Sequence, residues 1–499
     1  MSRCSSILAS AALAACGAES VELTLSVPVD VYAPRERVVR VPVTIGGDAT
    51  GTVRVELAGL PAGLRASPED GAVGDTVEVL LSADAPAADG AVAGVQVIAT
   101  ATDAAAAEAL TIEVGPPSGD LDPTFGDGGI VTISGAAGRF TQGRGLAWAP
   151  DGGLGIVGSH GEVAGSQAPH AMVARLDPRG GFVTEHAGDG VLETTLPGVA
   201  RHLAFDARGR ALALIWDTTG RSASLVRFLS DGSVDTSYQG GAVALETAPI
   251  SRAHALLDAD GSASVVLTRA APVEHVVVRY DAAGVKDAAF GPPAPLAVPS
   301  APVESIARDA HDRIVLVSNR AMVRLDAAGR VDATFGVAGA VELPAEVQAG
   351  AAVARIAMDG DAIIVVQSLT SIDDPAAIVA RFREDGALDT SFADDGVTLL
   401  PGLSRASSTG AAVAVDNQGR IVVAARCHPD DGLRVTRSNR DGTAMDGTFG
   451  DQGGSVIVPF ADFSSAWAVE VTDDDRVLVV GSVPTAGGSG AAVVFRLNR

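Results

Sequence analysis

The sequence predicts an all-β protein, and three observations lead to that prediction. Of its 499 residues, 47% are hydrophobic but only 4% are aromatic, and 58 glycines and 26 prolines suit many short strands joined by tight turns. Many segments alternate between apolar and polar residues with a period of two, as half-buried strands do. A similar unit also returns about every fifty residues along most of the chain.

Residues 21–115 predict a small β-sandwich that precedes the repeats. Alternating segments lie at 21–27, 37–45, 52–57 and 76–81, and two more follow between 95 and 114. Turns about every ten residues between such strands are typical of a sandwich. The stretch GLPAGLRASP at 59–68 resembles a turn of bacterial surface immunoglobulin-like modules. We therefore expect an immunoglobulin-like sandwich that serves as a stalk, with a binding role as the alternative.

The remainder of the chain repeats a segment in which an Asp stands three residues before an aromatic. The clearest example is LDPTFG at 121–126, and a degraded copy lies at 183–192, where Thr184 and Ala187 replace the pair. A short strand, a β-hairpin and a further strand follow each copy, which predicts four strands per unit and seven units. The six clear copies contain Asp122, Asp235, Asp287, Asp332, Asp389 and Asp446.

The last strand of every unit carries an arginine. We expect each arginine to pair with the Asp that follows eight or nine residues later, or with Thr184 in the degraded copy, and so to fix the geometry of the unit. A channel lined by seven arginines for an anionic ligand is the alternative. The arginines are Arg175, Arg227, Arg279, Arg324, Arg381, Arg437 and Arg496.

These units resemble the delta-60 repeat family, whose GxLDxTFGxxG segment and downstream DGxIxVxG hairpin are matched at 119–129 and again in later copies. The resemblance covers about 380 residues and implies secreted or surface-exposed propeller-like proteins without a known activity.

The two ends of the repeat array complement each other. The last strand, at 493–498, is not followed by the Asp–aromatic segment, whereas the array begins at Gly119 with that segment and without a preceding strand. We expect the two fragments to pair and to close a seven-bladed β-propeller over 119–499, because closure removes exposed strand edges. An open solenoid is the alternative.

The first sixteen residues are typical of an export signal. Arg3 precedes a short apolar stretch at 7–15, and LAAC at 13–16 resembles the lipobox of bacterial lipoproteins. That resemblance implies cleavage before Cys16 and lipidation of its thiol. We expect a signal peptide at 1–15, a tether at 16–20 and a chain that is anchored by lipid in the cell envelope. In many bacteria an Asp after the lipidated cysteine retains a lipoprotein at the inner membrane. Because Gly17 stands at that position, we expect the outer membrane. An ordinary secretory signal is the alternative.

The charge of the chain disfavours nucleic acid as a partner. The formal net charge is −25, and Lys286 is the one lysine in the sequence. Phosphate binding needs a concentrated basic face, which this composition does not predict. We therefore expect a monomer whose partners are the membrane, through the lipid anchor, and either another protein or a glycan.

Motifs for catalysis or cofactors are not found. GLGIVG at 153–158 matches a dinucleotide fingerprint, but that motif works only between a strand and a helix, and here it aligns with hairpin strands. No catalytic or metal-binding residues are predicted, and no cofactor is expected. The acidic turns at 258–261 and 473–475 leave calcium as an alternative.

The sequence thus predicts a surface recognition or scaffold protein. The long inserts at 159–170 and 369–376 occupy corresponding places in two units and are expected to form a binding face on one rim. The alternative is an exported propeller enzyme, a hydrolase, lyase or quinoprotein-like oxidoreductase, with its site at the channel mouth. That alternative requires polar residues that break the repeat there, and the sequence shows no such cluster. A purely structural envelope component, without a saturable ligand, is the third hypothesis.

Overall fold

A computed structural model describes residues 21–28, 30–35, 38–84, 90–115, 118–135, 139–162, 168–217, 222–245, 249–270, 272–292, 296, 301–348, 354–368, 376–401, 411–426, 432–450, 453–460, 464–485 and 490–499. Almost all of the regular secondary structure in these residues is β-strand, which confirms the all-β prediction. Two short helical turns, Gln239–Gly241 and Ala345–Gln348, interrupt them. Within these ranges, no helix has the length and apolar character needed to cross a membrane.

The chain divides into two compact units. The first comprises residues up to Asp120 together with Gly447–Gly454 and Asn498, and the second comprises Leu121–Asp446, Ser455–Leu497 and Arg499. The strands of the first unit are β1 (Leu23–Ser26), β2 (Asp30–Pro34), β3 (Val38–Gly47), β4 (Val53–Ala58), β5 (Leu64–Ser67), β6 (Glu69–Gly71), β7 (Thr76–Ala83), β8 (Gly90–Thr100) and β9 (Ala105–Gly115).

The first unit contains two sheets that share one apolar core. One sheet has the order β1-β3-β7-β5 and the other the order β2-β9-β8-β4-β6. Alternate residues of β3, such as Val41 and Val43, are fully buried, and so are Val79 and Leu81 of β7 and Val97 of β8. The period-two pattern buries one face of each sheet against the other, as the sequence predicted. Strand β2 pairs with β9 in parallel, and the other pairs are antiparallel.

The second unit contains the strands β10 (Ile130–Ser134), β11 (Arg139–Trp148), β12 (Leu154–Glu162), β13 (His170–Leu176), β14 (Val191–Pro197), β15 (Val199–Phe205), β16 (Ala211–Asp217), β17 (Ser222–Phe228), β18 (Ala242–Ala244), β19 (Ile250–Leu257), β20 (Ala263–Ala270), β21 (Val273–Tyr280), β22 (Ser305–Arg308), β23 (Ile314–Val317), β24 (Ala321–Leu325), β25 (Ala340–Glu342), β26 (Ala354–Asp359), β27 (Ala362–Ser368), β28 (Ala376–Phe382), β29 (Val397–Pro401), β30 (Ala412–Val415), β31 (Ile421–Arg426), β32 (Leu433–Ser438), β33 (Ser455–Val458), β34 (Ser465–Val471), β35 (Val477–Pro484) and β36 (Gly490–Leu497).

In the described residues these strands form seven small antiparallel sheets, which follow one another along the chain. The first is β11–β14, the second β15–β18, the third β19–β21, the fourth β22–β25, the fifth β26–β29 and the sixth β30–β33, and the seventh has the order β34-β35-β36-β10. Six of them have the expected four strands. The third differs, because a single bridge between His275 and Leu296 stands where its fourth strand was predicted.

The first strands of the seven sheets contact one another in sequence. Strand β11 contacts β15, the contacts continue through β19, β22, β26 and β30, and β34 contacts both β30 and β11. The predicted pairing of the two chain fragments occurs in the seventh sheet, where Ile130 of β10 is opposite Phe495 of β36. The second and third strands of each sheet lie between neighbouring sheets, and residues such as Ile156 and Val157 of β12 are therefore buried on both faces. The segment 153–158 is thus largely strand β12, and the nucleotide motif is coincidental.

Two details of the predicted unit are wrong. The Asp and the aromatic residue lie at the corner between the third and fourth strands of one sheet, so the arginine and its Asp belong to the same sheet and not to successive units. The predicted insert at 159–170 is also shorter than expected, because β12 extends to Glu162 and β13 begins at His170. Residues 163–167 and 369–375 lie outside the described residues.

Candidate functional site

The repeated arginine and aspartate meet in a corner that sequence reasoning described only in part. At the second sheet, Arg227 Nε donates to Asp235 Oδ2 at 2.8 Å, and both side chains are buried. Asp235 Oδ1 accepts hydrogen bonds from the Ser237 amide and hydroxyl. Arg227 Nη2 donates to the same Ser237 hydroxyl at 3.1 Å, and Nη1 donates to the Ala282 carbonyl. One Asp thus ties its own turn to the arginine strand.

Four other sheets repeat this ion pair with nearly the same geometry. In each pair the arginine Nε lies within hydrogen-bond distance of the carboxylate. The pairs are Arg324–Asp332 at 2.8 Å, Arg381–Asp389 at 2.7 Å, Arg437–Asp446 at 2.7 Å and Arg496–Asp122 at 2.7 Å. The pKa of Asp235 illustrates the effect: burial raises it, but the hydrogen bonds from Ser237 and the charge of Arg227 hold it below its usual value.

The aromatic residue of the motif is part of the same corner. The Arg324 guanidinium lies 4.6 Å from the centre of the Phe335 ring, and Arg381 lies 4.7 Å from that of Phe392. The other side of the Phe335 ring packs against Gly386 in the turn of the next sheet. Gly386 has a φ of +87°, and a side chain there would collide with Phe335 and Val341. The repeat motif contains both this glycine and the hydroxyl residue that follows the Asp by two positions, but the sequence did not reveal their roles in the corner.

Arg279 and Asp287 do not form the expected ion pair. Arg279 keeps its place 4.9 Å above the Phe290 ring, but no carboxylate lies within 4.0 Å of it among the described residues. The reason lies two residues after the aspartate, where Ala289 replaces the Ser or Thr whose hydroxyl bridges the two side chains elsewhere. Asp287 is consequently exposed. The prediction is wrong for this pair.

The degraded copy has a different register from the one predicted. The Val183 amide donates to the Arg175 carbonyl, as the Asp235 amide donates to the Arg227 carbonyl, so Val183 and not Thr184 occupies the Asp position. His186, and not Ala187, takes the aromatic position, and it is buried with its ring nitrogens 3.3 Å from the Ser230 and Val173 carbonyls. Burial lowers the pKa of His186, although these hydrogen bonds oppose the shift. Arg175 therefore binds a different carboxylate, that of Asp151, at 2.8 Å.

A separate cavity of about 440 Å³ lies where the first strands of the seven sheets meet. None of the seven repeat arginines lines it, so the alternative of an arginine channel built from that series is wrong. The polar residues that line it come from other positions, and sequence reasoning missed them. They are Arg144 on β11, Arg201 and His202 on β15, His254 and Asp258 at β19, Glu304 and Arg308 at β22, Arg355 on β26, and Trp467 and Glu470 on β34.

Breaks in the repeat place these side chains at the cavity. The register of β11 shifts at Gly143/Gly145 and that of β15 at Ala200/His202, so Arg144 and Arg201 are the extra residues of two β-bulges. A bulge leaves one residue unpaired and redirects its side chain. Alignment of the hairpins shows Gly145, His202 and Arg355 at one position, where β30 and β34 carry alanine. A comparison of equivalent positions in the repeats could therefore have identified these polar residues from the sequence.

Three of the arginines lie in the cavity without a carboxylate partner within 4.0 Å in the described part of the chain, namely Arg144, Arg201 and Arg355. Arg201 lies 4.3 Å above the Trp216 ring and Arg144 lies 3.6 Å above the Trp467 ring. Burial, together with the charges of neighbouring arginines, lowers the pKa of Arg201 to about 9 and that of Arg144 to about 10. Arg144 and Arg201 thus stay protonated at neutral pH, and burial lowers the pKa of Arg355 as well.

The histidines that the sequence left scattered form two pairs. His202 and His254 meet in the cavity with their ring centres 5.7 Å apart, and His160 and His170 stack at 5.6 Å near Glu193. Burial and then the charges of Arg201 and Arg355 lower the pKa of His202 to about 4. The pKa of His254 also lies well below its usual value, mainly because of burial. Both rings are therefore neutral at pH 7. The one N–H group of His254, at Nε2, donates to the Val303 carbonyl at 3.1 Å, whereas His202 can offer its N–H group to a ligand.

Acidic groups occupy another part of the same cavity. Arg308 binds Asp258 with two hydrogen bonds of 2.5 and 3.1 Å, so these two charges neutralise each other. Glu470 stands at the position held by Ala147, Ala204 and Ala414 in other sheets. Its side chain keeps solvent-accessible area within the cavity, but the surrounding walls remove bulk water and raise the pKa of its carboxyl to about 7.

We expect the variant Glu470→Gln to change the pH dependence of stability. The unfolded carboxyl ionises near pH 4.5 and the folded one near pH 7. The folded state therefore binds the extra proton between these values, and the parent loses stability relative to the variant as pH rises from 4.5 to 7. Differential scanning fluorimetry should show the variant equal to the parent at pH 4 and higher-melting at pH 8. A difference that does not depend on pH would contradict the assignment.

One group outside the cavity has the donors of a metal site. The ligand atoms of His311, Asp361 and Glu384 all lie within 4.8 Å of one another, and no other such group occurs in the described ranges. Arg313 Nη2 already lies 2.9 Å from Glu384 and 3.8 Å from Asp361. A guanidinium thus occupies the place that a cation would need, and the group does not fit a metal. In the acidic turns, the Asp258 carboxylate binds Arg308 and Asp475 lies 3.6 Å from Arg420.

The larger unit belongs to the β-propeller class, as its small sheets and one family match indicate. Residues 364–392 match a family described as a domain of unknown function (DUF5122) beta-propeller. That segment covers β27, β28 and the Asp389 corner. Cys16 and Cys427 lie outside the described residues.

The chain is also similar to several solved structures, at low identity. A protein of unknown function from Dyadobacter fermentans is 10% identical with a TM-score of 0.39, over 76% of this chain and 100% of that one. The endosialidase of phage phi92 is 11% identical with a TM-score of 0.40, over 78% and 71%. Drosophila Semaphorin 2a is 8% identical with a TM-score of 0.40, over 76% of each. A search of curated protein sequences finds no match.

Proposed function

We propose that the chain is an exported recognition protein that binds a ligand in the central cavity of a seven-bladed propeller. The observation that carries the proposal is the set of polar side chains that break the repeat at one place, including Arg201, His202, Arg355 and Glu470. A structural repeat has no need for different residues at equivalent positions. Strands β30 and β34 carry alanine where His202 and Arg355 stand, and β11, β15 and β30 carry alanine where Glu470 stands. Ligand pockets are typically concave sites of this size with a few convergent polar groups.

The seven-bladed architecture is part of the proposal. Seven sheets with contacts between successive first strands, and a seventh sheet built from β10 and β34–β36, support a closed ring. Such a ring leaves a channel along its axis, which the first strands line. Pairing of β10 with β36 joins distant parts of the chain and removes two strand edges.

The N-terminal unit is proposed to be immunoglobulin-like and to act as a stalk. Its sheet β1-β3-β7-β5 corresponds to the order A-B-E-D of that fold, and β9-β8-β4 corresponds to G-F-C. The lipobox-like LAAC at 13–16 supports export and anchoring through Cys16, with the propeller held away from an outer membrane. The binding of a protein or a glycan through the inserts predicted at 159–170 and 369–376 is the wider form of the same proposal.

The alternative of an exported enzyme gains one observation. Glu470 is poised to exchange a proton near neutral pH and lines the same cavity as His202 and His254. A carboxyl of this kind suits general acid or base catalysis. The alternative predicts that Glu470→Gln abolishes turnover of a bound ligand without abolishing its binding.

The proposed function is tested by filling the cavity without changing its charge. Ser305 lines the cavity and is partly exposed, so Ser305→Trp narrows the space, and Ser305→Ala is the matched control. A panel of neutral sugars, amino acids, organic acids and sugar phosphates is screened by the rise in melting temperature. At least one compound should stabilise the parent and Ser305→Ala saturably, but not Ser305→Trp. If no compound does so, or if the tryptophan variant responds equally, the cavity is not the binding site.

A further inference from the structure

We propose that the central cavity binds a small organic anion with at least two negatively charged groups, carboxylates or phosphates, through Arg144, Arg201 and Arg355. The proposal rests on the proposed function, because it names the chemistry of the ligand for the same cavity. It is independent of the repeat corners, where every arginine described above serves the fold.

The charged groups at the cavity do not balance one another. Asp258 neutralises Arg308, and Glu304 lies 3.5 Å from Arg252, so both of these carboxylates already have basic partners. The third acidic residue at the cavity, Glu470, forms no ion pair within 4.0 Å in the described residues, and burial raises the pKa of its carboxyl to about 7. Three guanidinium groups are left without a carboxylate partner in the described residues. The chain has 61 acidic and 36 basic residues. Six of its seven repeat arginines bind a carboxylate: five bind the Asp of the motif, and Arg175 binds Asp151. Unpaired arginines gathered at one enclosed place are therefore not an effect of composition, and their desolvation is unfavourable until an anion enters.

Two of the guanidinium groups are held in place by tryptophan rings. The Nε atoms of Arg144 and Arg201 are buried and have no hydrogen-bond partner, and Trp467 Nε1 is in the same state. The indole rings of Trp467 and Trp216 lie against the faces of the two guanidinium groups and restrict their rotation. The Nε–H groups of Arg144 and Arg201 stay available to an oxyanion. Arg144 Nη2 already donates to Gln142 Oε1 at 2.7 Å, and Arg355 Nη1 donates to the Ala354 and Glu304 carbonyls. Guanidinium donors in this arrangement match carboxylate and phosphate oxygens in pairs.

The number of arginines at the cavity sets the number of negative groups that the ligand needs. Arg144, Arg201 and Arg355 come from three different strands, β11, β15 and β26. Each affects the ionisation of another: the charges of Arg144 and Arg355 both act on Arg201. A single monovalent group cannot neutralise three guanidinium groups on separate sheets, so the ligand needs at least two anionic groups.

The size of the cavity and its apolar wall indicate that the ligand has a carbon skeleton. The cavity of about 440 Å³ is larger than an inorganic ion requires, and part of its wall is apolar, with Leu146, Leu203, Ile356 and Val413. His202 is neutral and can offer one N–H group to a hydroxyl or carboxylate oxygen. An organic anion uses both the basic and the apolar wall.

The test is isothermal titration of the full chain with citrate and with glucose 6-phosphate at constant ionic strength. Glucose and sodium chloride are the neutral and monovalent controls. We expect one-to-one binding of at least one anion, and a loss of at least tenfold in affinity in both Arg201→Gln and Arg355→Gln. Arg201→Lys keeps the charge but not the planar pair of donors, and it should also lose affinity. Arg208→Gln removes an equal charge at an exposed site and should stay within twofold of the parent.

The melting temperature of the ligand-free variants separates binding from folding. Removal of an unpaired, desolvated charge should leave Arg201→Gln as stable as the parent or raise its melting temperature by roughly 1–3 °C. A clear fall would show that the arginines hold the fold, and the proposal would be overturned. Equal losses in Arg208→Gln would also overturn it, because they would indicate general screening by ions.

The two proposals fail separately. If neither anion binds, but a neutral compound of the panel stabilises the parent and not Ser305→Trp, the cavity is a binding site and the inference about its ligand is wrong. Stronger binding of citrate than of glucose 6-phosphate assigns carboxylates to the site, and the reverse order assigns phosphate. If neither the panel nor the anions bind, both proposals are wrong.

Discussion

Replacement of Asp235 by alanine is expected to lower the free energy of unfolding of the propeller unit by about 3–5 kcal/mol. The carboxylate accepts hydrogen bonds from Ser237 and from Arg227, whose side chain is only 5% exposed. Its removal leaves the Arg227 guanidinium buried without a counter-charge, and it also removes the cap of the corner turn. The loss of one buried partner is costly mainly because of the charge that remains.

Asp287→Ala is the matched control for this prediction. Asp287 holds the same place in the motif, but it is exposed and makes no ion pair with Arg279, so its replacement should change stability by less than about 0.5 kcal/mol. Urea denaturation of the full chain, followed by circular dichroism, measures both variants. Equal losses in the two variants would mean that the ion pair contributes little.

Phe335→Ala is expected to destabilise the propeller unit by about 3–5 kcal/mol. The ring is fully buried, Arg324 lies over one face and Gly386 of the next sheet packs on the other. Truncation leaves a cavity between two sheets and removes the surface on which the guanidinium rests. Gly386 has a positive φ and no side chain that could fill the space left by the Phe335 ring.

Phe182→Ala provides the comparison, because Phe182 is 39% exposed and lies near the degraded corner. The same chemical change there should cost less than about 1 kcal/mol. The two variants are measured by the same denaturation experiment. A loss at Phe182 as large as that at Phe335 would contradict the view that the buried corner, rather than the number of phenylalanines, stabilises the array.

The repeat corners show how far one sequence can be interpreted. An arginine and an aspartate eight or nine residues apart recur in phase with the strands, and a contact that is local in sequence needs no knowledge of the other sheets. Five of the pairs lie where their spacing placed them. Arg279 and Arg175 differ because a neighbouring residue changed: Ala289 lacks the bridging hydroxyl, and Val183 offers no carboxylate.

The cavity could not be predicted in the same way. Arg144, Arg201 and Arg355 stand up to about two hundred residues apart, and only the succession of sheets brings β11, β15 and β26 to one place. The bulges that redirect Arg144 and Arg201 depend on strand register, which a residue pattern does not reveal when the flanking residues are glycine and alanine. Histidines that were scattered in the sequence become neighbours for the same reason.

The sequence alone determined the local and periodic properties of this protein: an all-β chain, a β-sandwich-like first part, a repeated unit of mostly four strands with its Arg–Asp corner, and a formal net charge of −25. Only the tertiary structure decided which polar residues share a cavity, which arginines lack a counter-charge and which carboxyl has its pKa raised. The physical reason is that side-chain periodicity acts over a few residues, whereas desolvation and Coulomb interaction depend on distance in space between strands from different sheets.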